Sequence, residues 1–177
     1  LHAAFRDLCA ARGRRDCVRW LASLLAGFDE VEIVRVMQDA VEEHLKRPYG
    51  AEDVAASAGD ADPVRARVGL RRIPEMVDLV DKLLKNGFDV WVLSSSNFWA
   101  AQFVATQFGI DTSRVVGIRT RVVNKVLTSD VLDPAPEGMG EAEAMTGFVP
   151  RGPELSIGAG KGDEWMLRFN PGEGIRL

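Results

Sequence analysis

The chain has 177 residues, 46% of them hydrophobic and 27% charged, with a formal net charge of −4. A negative net charge argues against non-specific nucleic-acid binding, which requires a basic surface that releases counterions from phosphates. The sequence has no apolar run near the ~20 residues of a membrane span and no signal-peptide or transit-peptide pattern, so we predict a globular domain that does not span a membrane.

Helical spacing of apolar residues dominates the chain up to about residue 84. The spacing predicts helices around Phe5, over residues 18–25 and over residues 31–45. Residues 51–62 are small and acidic, which predicts a loop or a short helix. Pro74 then predicts the first turn of another helix, which ends at an Asn-Gly pair.

The two cysteines, Cys9 and Cys17, are eight residues apart. On a single helix this spacing separates them by about two turns, which is too far for a disulfide. We therefore expect two buried thiols and an intracellular, reducing compartment, with no distinction between cytoplasm and mitochondrion.

The pattern changes at residue 88, where strands begin to alternate with helices. The apolar run at residues 90–93 predicts a strand buried on both faces of a parallel sheet. A helix over residues 99–108 and a strand over residues 115–118 follow. Residues 121–128 then predict a β-hairpin with a two-residue turn. A helix over residues 141–148 and strands over residues 155–158 and 174–177 complete an open α/β sheet.

Ligands of open α/β sheets bind beyond the carboxyl ends of the strands, and two strand ends here carry polar residues. The first is a Ser-Ser-Ser-Asn segment, which is suited either to holding a phosphate or to capping the next helix. The second is a glycine-rich turn, which either approaches a ligand closely or simply leads into a helix that its aspartate caps. The candidate phosphate ligands are Ser94, Ser95, Asn97, Gly160 and Lys161, and the candidate ligand of a hard cation is Asp163.

The order of these segments resembles the haloacid dehalogenase (HAD) superfamily, in particular its phosphoserine-phosphatase-like members with a helical cap. The resemblance runs from about residue 70 to residue 177. It implies an α/β fold, a HAD-like Rossmannoid three-layer sandwich with a parallel sheet over residues 70–177, and an N-terminal helical cap over residues 1–69. The segments that carry it are IPEMV, the strand with Ser94, GIDTSRVVGIRTRVV, LTSDVLDPAP, EGMGEAEAM and LSIGAGKGDEWML.

The resemblance also implies a phosphatase site, most of which is absent here. In this family an Asp-x-Asp pair performs the chemistry, a hydroxyl and a lysine hold the phosphoryl group, and further aspartates help to bind Mg²⁺. Ser94 matches the hydroxyl and Asp163 matches a metal ligand. Glu141 stands at the lysine position, and Ala159 stands at that of the first metal-binding aspartate. No Asp-x-Asp strand occurs, so no catalytic set is intact.

The missing strand lies in the middle of the sheet in this family. We therefore expect a segment outside this sequence to supply it. Otherwise, the two neighbouring strands pair directly or a partner chain fills the gap, since bare strand edges are prone to aggregation.

Three functions remain open on these residues. We favour a catalytically inactive phosphatase-like domain that serves as a structural or interaction subunit with a protein partner. The alternative is an active phosphomonoesterase that uses Mg²⁺ and an upstream Asp-x-Asp. A third hypothesis is a sensor of phosphate or of a phosphorylated small molecule, without turnover.

Overall fold

The computed structural model describes residues 1–54, 64–169 and 174–177. The first part of the chain is mainly helical, and the second alternates strands and helices. In chain order the elements are α1 (His2–Arg12), α2 (Arg14–Ser23), α3 (Glu30–Lys46), β1 (Gly50–Val54), β2 (Val64–Val68), α4 (Pro74–Lys85), β3 (Val92–Asn97), α5 (Phe98–Thr106), β4 (Val115–Ile118), β5 (Thr120–Val123), β6 (Val126–Val131), α6 (Met139–Phe148), β7 (Leu155–Ser156), α7 (Glu164–Phe169) and β8 (Ile175–Arg176).

Local signals account for the ends of several elements. Pro74 occupies the start of α4, where its missing N–H group costs no helical hydrogen bond, and Gly87 follows the helix with φ 79°. The hairpin of β5 and β6 has Val123 opposite Val126. Its two turn residues, Asn124 and Lys125, have φ 51° and 67°, the left-handed conformation that such turns require. Both predictions are confirmed.

The strands form pairs instead of one wide sheet. β3 pairs in parallel with β4, and β7 pairs in parallel with β8, while β1–β2 and β5–β6 are antiparallel. Within the described residues each sheet has two strands, and β3 does not pair with β7. The expected open parallel sheet is therefore present only as two separate parallel pairs.

Residues 50–54 depart from the sequence prediction. We expected a loop or a short helix from residue 51, but Gly50–Val54 forms β1, which pairs with β2 in a register that sets Glu52 opposite Ala66. The β1 residues up to Asp53 are exposed, so the strand lacks the alternation of buried and exposed residues by which strands are recognised. The rest of the predicted loop, residues 55–62, falls outside the described residues.

The prediction of two free thiols is wrong. Cys9 and Cys17 form a disulfide, with their Cα atoms 5.1 Å apart, well inside the range for such bonds. Gly13, with φ 87°, ends α1 and starts α2, so the two cysteines lie on different helices that fold back on each other. The sequence estimate assumed one continuous helix. The expectation of a reducing compartment was based on two free thiols, so it no longer has that support.

Three separate hydrophobic clusters form the core. The second lies between α4, α5 and β4, whereas the first and third bring helices of residues 1–69 against residues 70–177. The division of the chain near residue 69 stays a prediction. The three clusters contain Cys17, Val18, Ala22, Ile118 and Ala135; then Val80, Ala101, Ala105, Ile110 and Val115; then Ile33, Trp99 and Leu127.

Backbone hydrogen bonds reinforce the contact between the two parts of the chain. The Gly27 amide donates to the Leu127 carbonyl at 2.8 Å, and the Glu30 amide donates to the Lys125 carbonyl at 2.8 Å. In the part of the chain that the structure describes, no helix is both long and apolar enough to cross a membrane.

Candidate functional site

A groove with a cavity of about 1100 Å³ lies between β3 and β7. We call it the β3–β7 groove; residues 90–94 line one side and residues 153–157 the other, with α4, α5 and α6 contributing apolar side chains. Of the predicted site residues, Ser94, Glu141 and Asp163 line the groove. The structure thus brings together three positions that are widely separated in the sequence. Ser95, Asn97, Gly160 and Lys161 are not among its lining residues.

The Ser-Ser-Ser-Asn segment ends β3 and starts α5. The Ser94 hydroxyl accepts a hydrogen bond from the Ser96 amide at 3.2 Å. Asn97 caps α5, because its Oδ1 accepts from the amides of Trp99 at 3.1 Å and Ala100 at 3.3 Å. Two of the N–H groups at the start of α5, which are suited to an anion, are therefore bonded within the protein. The proposed phosphate contacts of Ser94, Ser95 and Asn97 stay predictions.

Asp163 closes the glycine-rich turn after β7. Its Oδ2 accepts hydrogen bonds from the amides of Ala159 at 2.5 Å and Gly160 at 3.2 Å. Gly158 permits this approach, since a Cβ there would lie 2.7 Å from the Asp163 Cβ. The turn amides that would hold a phosphate are thus bonded to an aspartate. Lys161 is exposed.

Glu141 is the most perturbed group of the site. It lies on the first turn of α6 with 4% of its surface exposed. Burial raises the pKa of this carboxyl to about 8, and the nearby charges of Asp163 and Glu137 and a hydrogen bond with Asp163 act in the same direction. Glu141 is therefore mostly protonated at neutral pH. Its Oε2 is buried and has no hydrogen-bond partner among the described residues.

Glu137 completes a group of three carboxyls that the sequence reasoning did not find. It is 6% exposed, and its Oε2 accepts from Nε of Arg14 at 3.0 Å. Arg14 opposes the upward shift of the Glu141 pKa. Glu137 lies just before α6, outside the helix, so helical spacing does not predict that it approaches Glu141. Its ion-pair partner Arg14 is 123 residues away in the chain, which no local pattern reveals.

These residues do not fit the Mg²⁺ ion that the resemblance implies. Such an ion needs ionised oxygen ligands at short range in near-octahedral geometry. Glu141 holds a proton near neutral pH, and Asp163 already accepts two amide hydrogen bonds. Across residues 1–54, 64–169 and 174–177, no group of three or more His, Cys, Asp or Glu side chains is arranged to hold a metal ion.

Parallel strand pairs flanked by helices define an α/β domain, the class of fold in which ligands commonly bind beyond the carboxyl ends of the strands. The fold is similar to that of phosphoserine phosphatase, a member of the HAD superfamily, solved as an analogue of its phospho-aspartyl intermediate. The TM-score is 0.50 at 16% identity, over 98% of this chain and 70% of that one. This likeness concerns the fold alone.

A second solved structure is more similar: a conserved protein of unknown function from Anaerococcus prevotii DSM 20548. The TM-score is 0.73 at 22% identity, over 84% of this chain and 43% of that one, so the matched region is less than half of that protein. No protein-family model and no curated protein matches the sequence.

Proposed function

We propose that this chain is a HAD-like phosphatase domain that does not hydrolyse phosphate esters and that serves as a structural or interaction subunit. The observation that supports the proposal is Glu141, buried in the groove that Ser94 also lines, where the resemblance places a lysine. An ionised carboxylate there repels a phosphoryl group, and a protonated one supplies no positive charge. Loss of one preorganised stabilising group typically raises a barrier by about 3–4 kcal/mol.

The surroundings of Glu141 add to this argument. The amides of Ala159 and Gly160 already donate to Asp163, which leaves fewer donors for a phosphoryl group. The chain also lacks the first metal-binding aspartate of the family, because Ala159 stands at that position. Two charge-bearing positions of a phosphatase site are therefore changed in ways that a strand from elsewhere does not repair.

The test is hydrolysis of p-nitrophenyl phosphate by the full-length protein with and without Mg²⁺. We expect no Mg²⁺-dependent turnover above background. The matched variants are Ser94→Ala, at the groove, and Ser129→Ala, at an exposed position on β6 that does not line the groove. Turnover that requires Mg²⁺, disappears in S94A and persists in S129A would overturn the proposal.

The second candidate is a Mg²⁺-dependent phosphomonoesterase that takes an Asp-x-Asp strand from outside these 177 residues. The observation in its favour is that Ser94 and Asp163 line the same groove. Its discriminating feature is the pair of residues at the end of that additional strand. Any pair other than Asp-x-Asp eliminates this candidate.

A further inference from the structure

The Cys9–Cys17 disulfide joins a weakly held helix to a firmly held one. α1 has 11 residues, and each of them is exposed or half-buried. Leu1 stands at the capping position before α1, where leucine offers no oxygen to the free amides of the first turn. A helix of this length is marginal in water unless tertiary contacts hold it. α1 packs against the hydrophobic cluster around Cys17 through the half-buried side chains of Phe5, Leu8 and Cys9.

α2 is anchored by contacts of its own. Its Cys17, Val18 and Ala22 side chains are buried. Arg19, farther along the same helix, donates a hydrogen bond to the Asp133 carboxylate at 2.6 Å. These contacts attach α2 to the core and to the segment that follows β6. Because α1 has much weaker anchors, we expect loss of the disulfide to free α1 and to leave α2 in place.

Gly13, between the two helices, has the properties of a hinge. Its φ is 87°, and a Cβ there would meet no atom of the described residues within 4 Å. Glycine changes its backbone torsions at little cost, and a few such residues at element ends absorb the movement of a helix. Arg14 follows directly, and its Nε donates to Oε2 of Glu137 at 3.0 Å. A movement of α1 about Gly13 therefore acts on the residue that pairs with one of the three carboxyls of the candidate site.

The disulfide is open to a dithiol from the side of Cys9. Cys9 is half-buried and Cys17 is fully buried, so an incoming thiolate reaches the Cys9 sulfur first. The attack forms a mixed disulfide at Cys9, while the electron pair of the S–S bond leaves on the Cys17 sulfur, which takes up a proton. The second thiol of the dithiol then attacks the mixed disulfide, releases Cys9 as a thiol and closes a cyclic disulfide. Two electrons pass from the dithiol to the chain, and a small-molecule disulfide reverses the exchange.

We propose that the Cys9–Cys17 disulfide is a redox-sensitive tether. When a dithiol reduces it, α1 separates from α2 while the rest of the fold persists, and the ion pair between Arg14 and Glu137 weakens. A disulfide with a purely structural role would behave differently, because its reduction would either leave α1 in place or loosen α1 and α2 together. The proposal concerns the position of α1 and Arg14, so it does not depend on whether the domain hydrolyses phosphate esters.

Amide hydrogen exchange with and without dithiothreitol tests the separation of α1. The sequence has two cysteines, so the reductant acts on the chain through this bond alone. We expect the amides of α1 to exchange at least about tenfold faster after reduction, because the lost cross-link closes a loop with a sequence separation of 8. The amides of α2 beyond Cys17 and those of α5 should change by less than about twofold. Oxidised glutathione should restore slow exchange, and the double variant Cys9→Ala/Cys17→Ala should exchange like the reduced chain whether or not reductant is present.

The side chain of Arg14 reports the effect on the candidate site. Its Nε–H proton is bonded to Glu137 in the oxidised chain, and NMR spectra of the arginine side chains should show it exchanging with water at least about threefold faster after reduction. Arg114, which donates through Nε to Asp89 at 2.6 Å, is the control and should be unaffected. Unchanged exchange in α1, equal acceleration in α1, α2 and α5, or an Arg14 Nε–H signal that does not respond to reduction would each overturn the proposal.

Discussion

Replacement of Glu141 by glutamine tests the electrostatic account of the site. Glutamine keeps the shape of the side chain and a hydrogen-bond donor toward Asp163, but it cannot ionise. In the wild type the folded pKa is raised from 4.5 to about 8. Between these pH values the folded chain holds a proton that the unfolded chain has released. The free energy of unfolding therefore falls as pH rises, by at most about 1.4 kcal/mol per pH unit.

Because the pKa shifts from 4.5 to about 8, the wild type loses no more than about 5 kcal/mol of unfolding free energy as pH rises, and the loss is complete above pH 8. Glu141→Gln does not undergo this loss. The variant should therefore be more stable than wild type at pH 8.5, by up to about 5 kcal/mol, and nearly as stable as wild type below pH 4.5. Urea unfolding followed by circular dichroism at half-unit intervals from pH 4.5 to 8.5 measures the difference. Glu143→Gln, exposed on the same helix, is the control.

The reasoning is refuted if the stability curves of wild type and Glu141→Gln run parallel across this range. Parallel curves would mean that Glu141 ionises in the folded chain as easily as in the unfolded one, so that burial does not raise its pKa. Convergence at low pH and divergence at high pH is the expected result.

Three further predictions concern stability, each measured by urea unfolding. Replacement of Cys9 and Cys17 by alanine should lower the free energy of unfolding by about 2–3 kcal/mol, the loop-closure value for a separation of 8 residues, and reductant should then have no further effect. Arg14→Ala should lower the free energy of unfolding by about 1–3 kcal/mol at pH 7, because it leaves the buried Glu137 side chain without its partner. The control Arg6→Ala, at an exposed ion pair, should change it by less than about 1 kcal/mol. Lys125→Gly should raise the free energy of unfolding by about 0.4–1 kcal/mol, since glycine adopts φ 67° without strain. The control Lys82→Gly, within α4, should lower it by a similar amount. Equal effects at both positions would contradict the argument that the left-handed conformation of Lys125 favours glycine.

Sequence patterns predicted elements whose signals are local. Pro74 and Gly87 bound α4, and the turn at Asn124 and Lys125 joins two apolar strands, so each element depends on neighbouring residues alone. The sequence pattern also predicted the alternation of strands and helices after residue 88, and the likeness to a phosphatase fold could therefore be expected.

Features that depend on contacts between distant residues could not be predicted from sequence patterns. The disulfide depends on a helix break at Gly13 that one continuous helical pattern concealed. The raised pKa of Glu141 depends on its burial and on the approach of Asp163, and Glu137 pairs with Arg14 across 123 residues. β1 escaped prediction because its exposed residues gain their order from pairing with β2. In each case the cause lies in tertiary contact.

The division of the core into three clusters has a consequence for how the chain opens. A single continuous core makes unfolding all-or-none, whereas clusters that share few residues can separate in steps. The cluster around Ala105 and Val115 lies within residues 80–115, while the cluster around Cys17 holds together segments more than a hundred residues apart. We therefore expect the α5–β4 unit to retain protected amides after α1 and α2 have detached, and native-state hydrogen exchange should resolve two opening steps with different denaturant dependence.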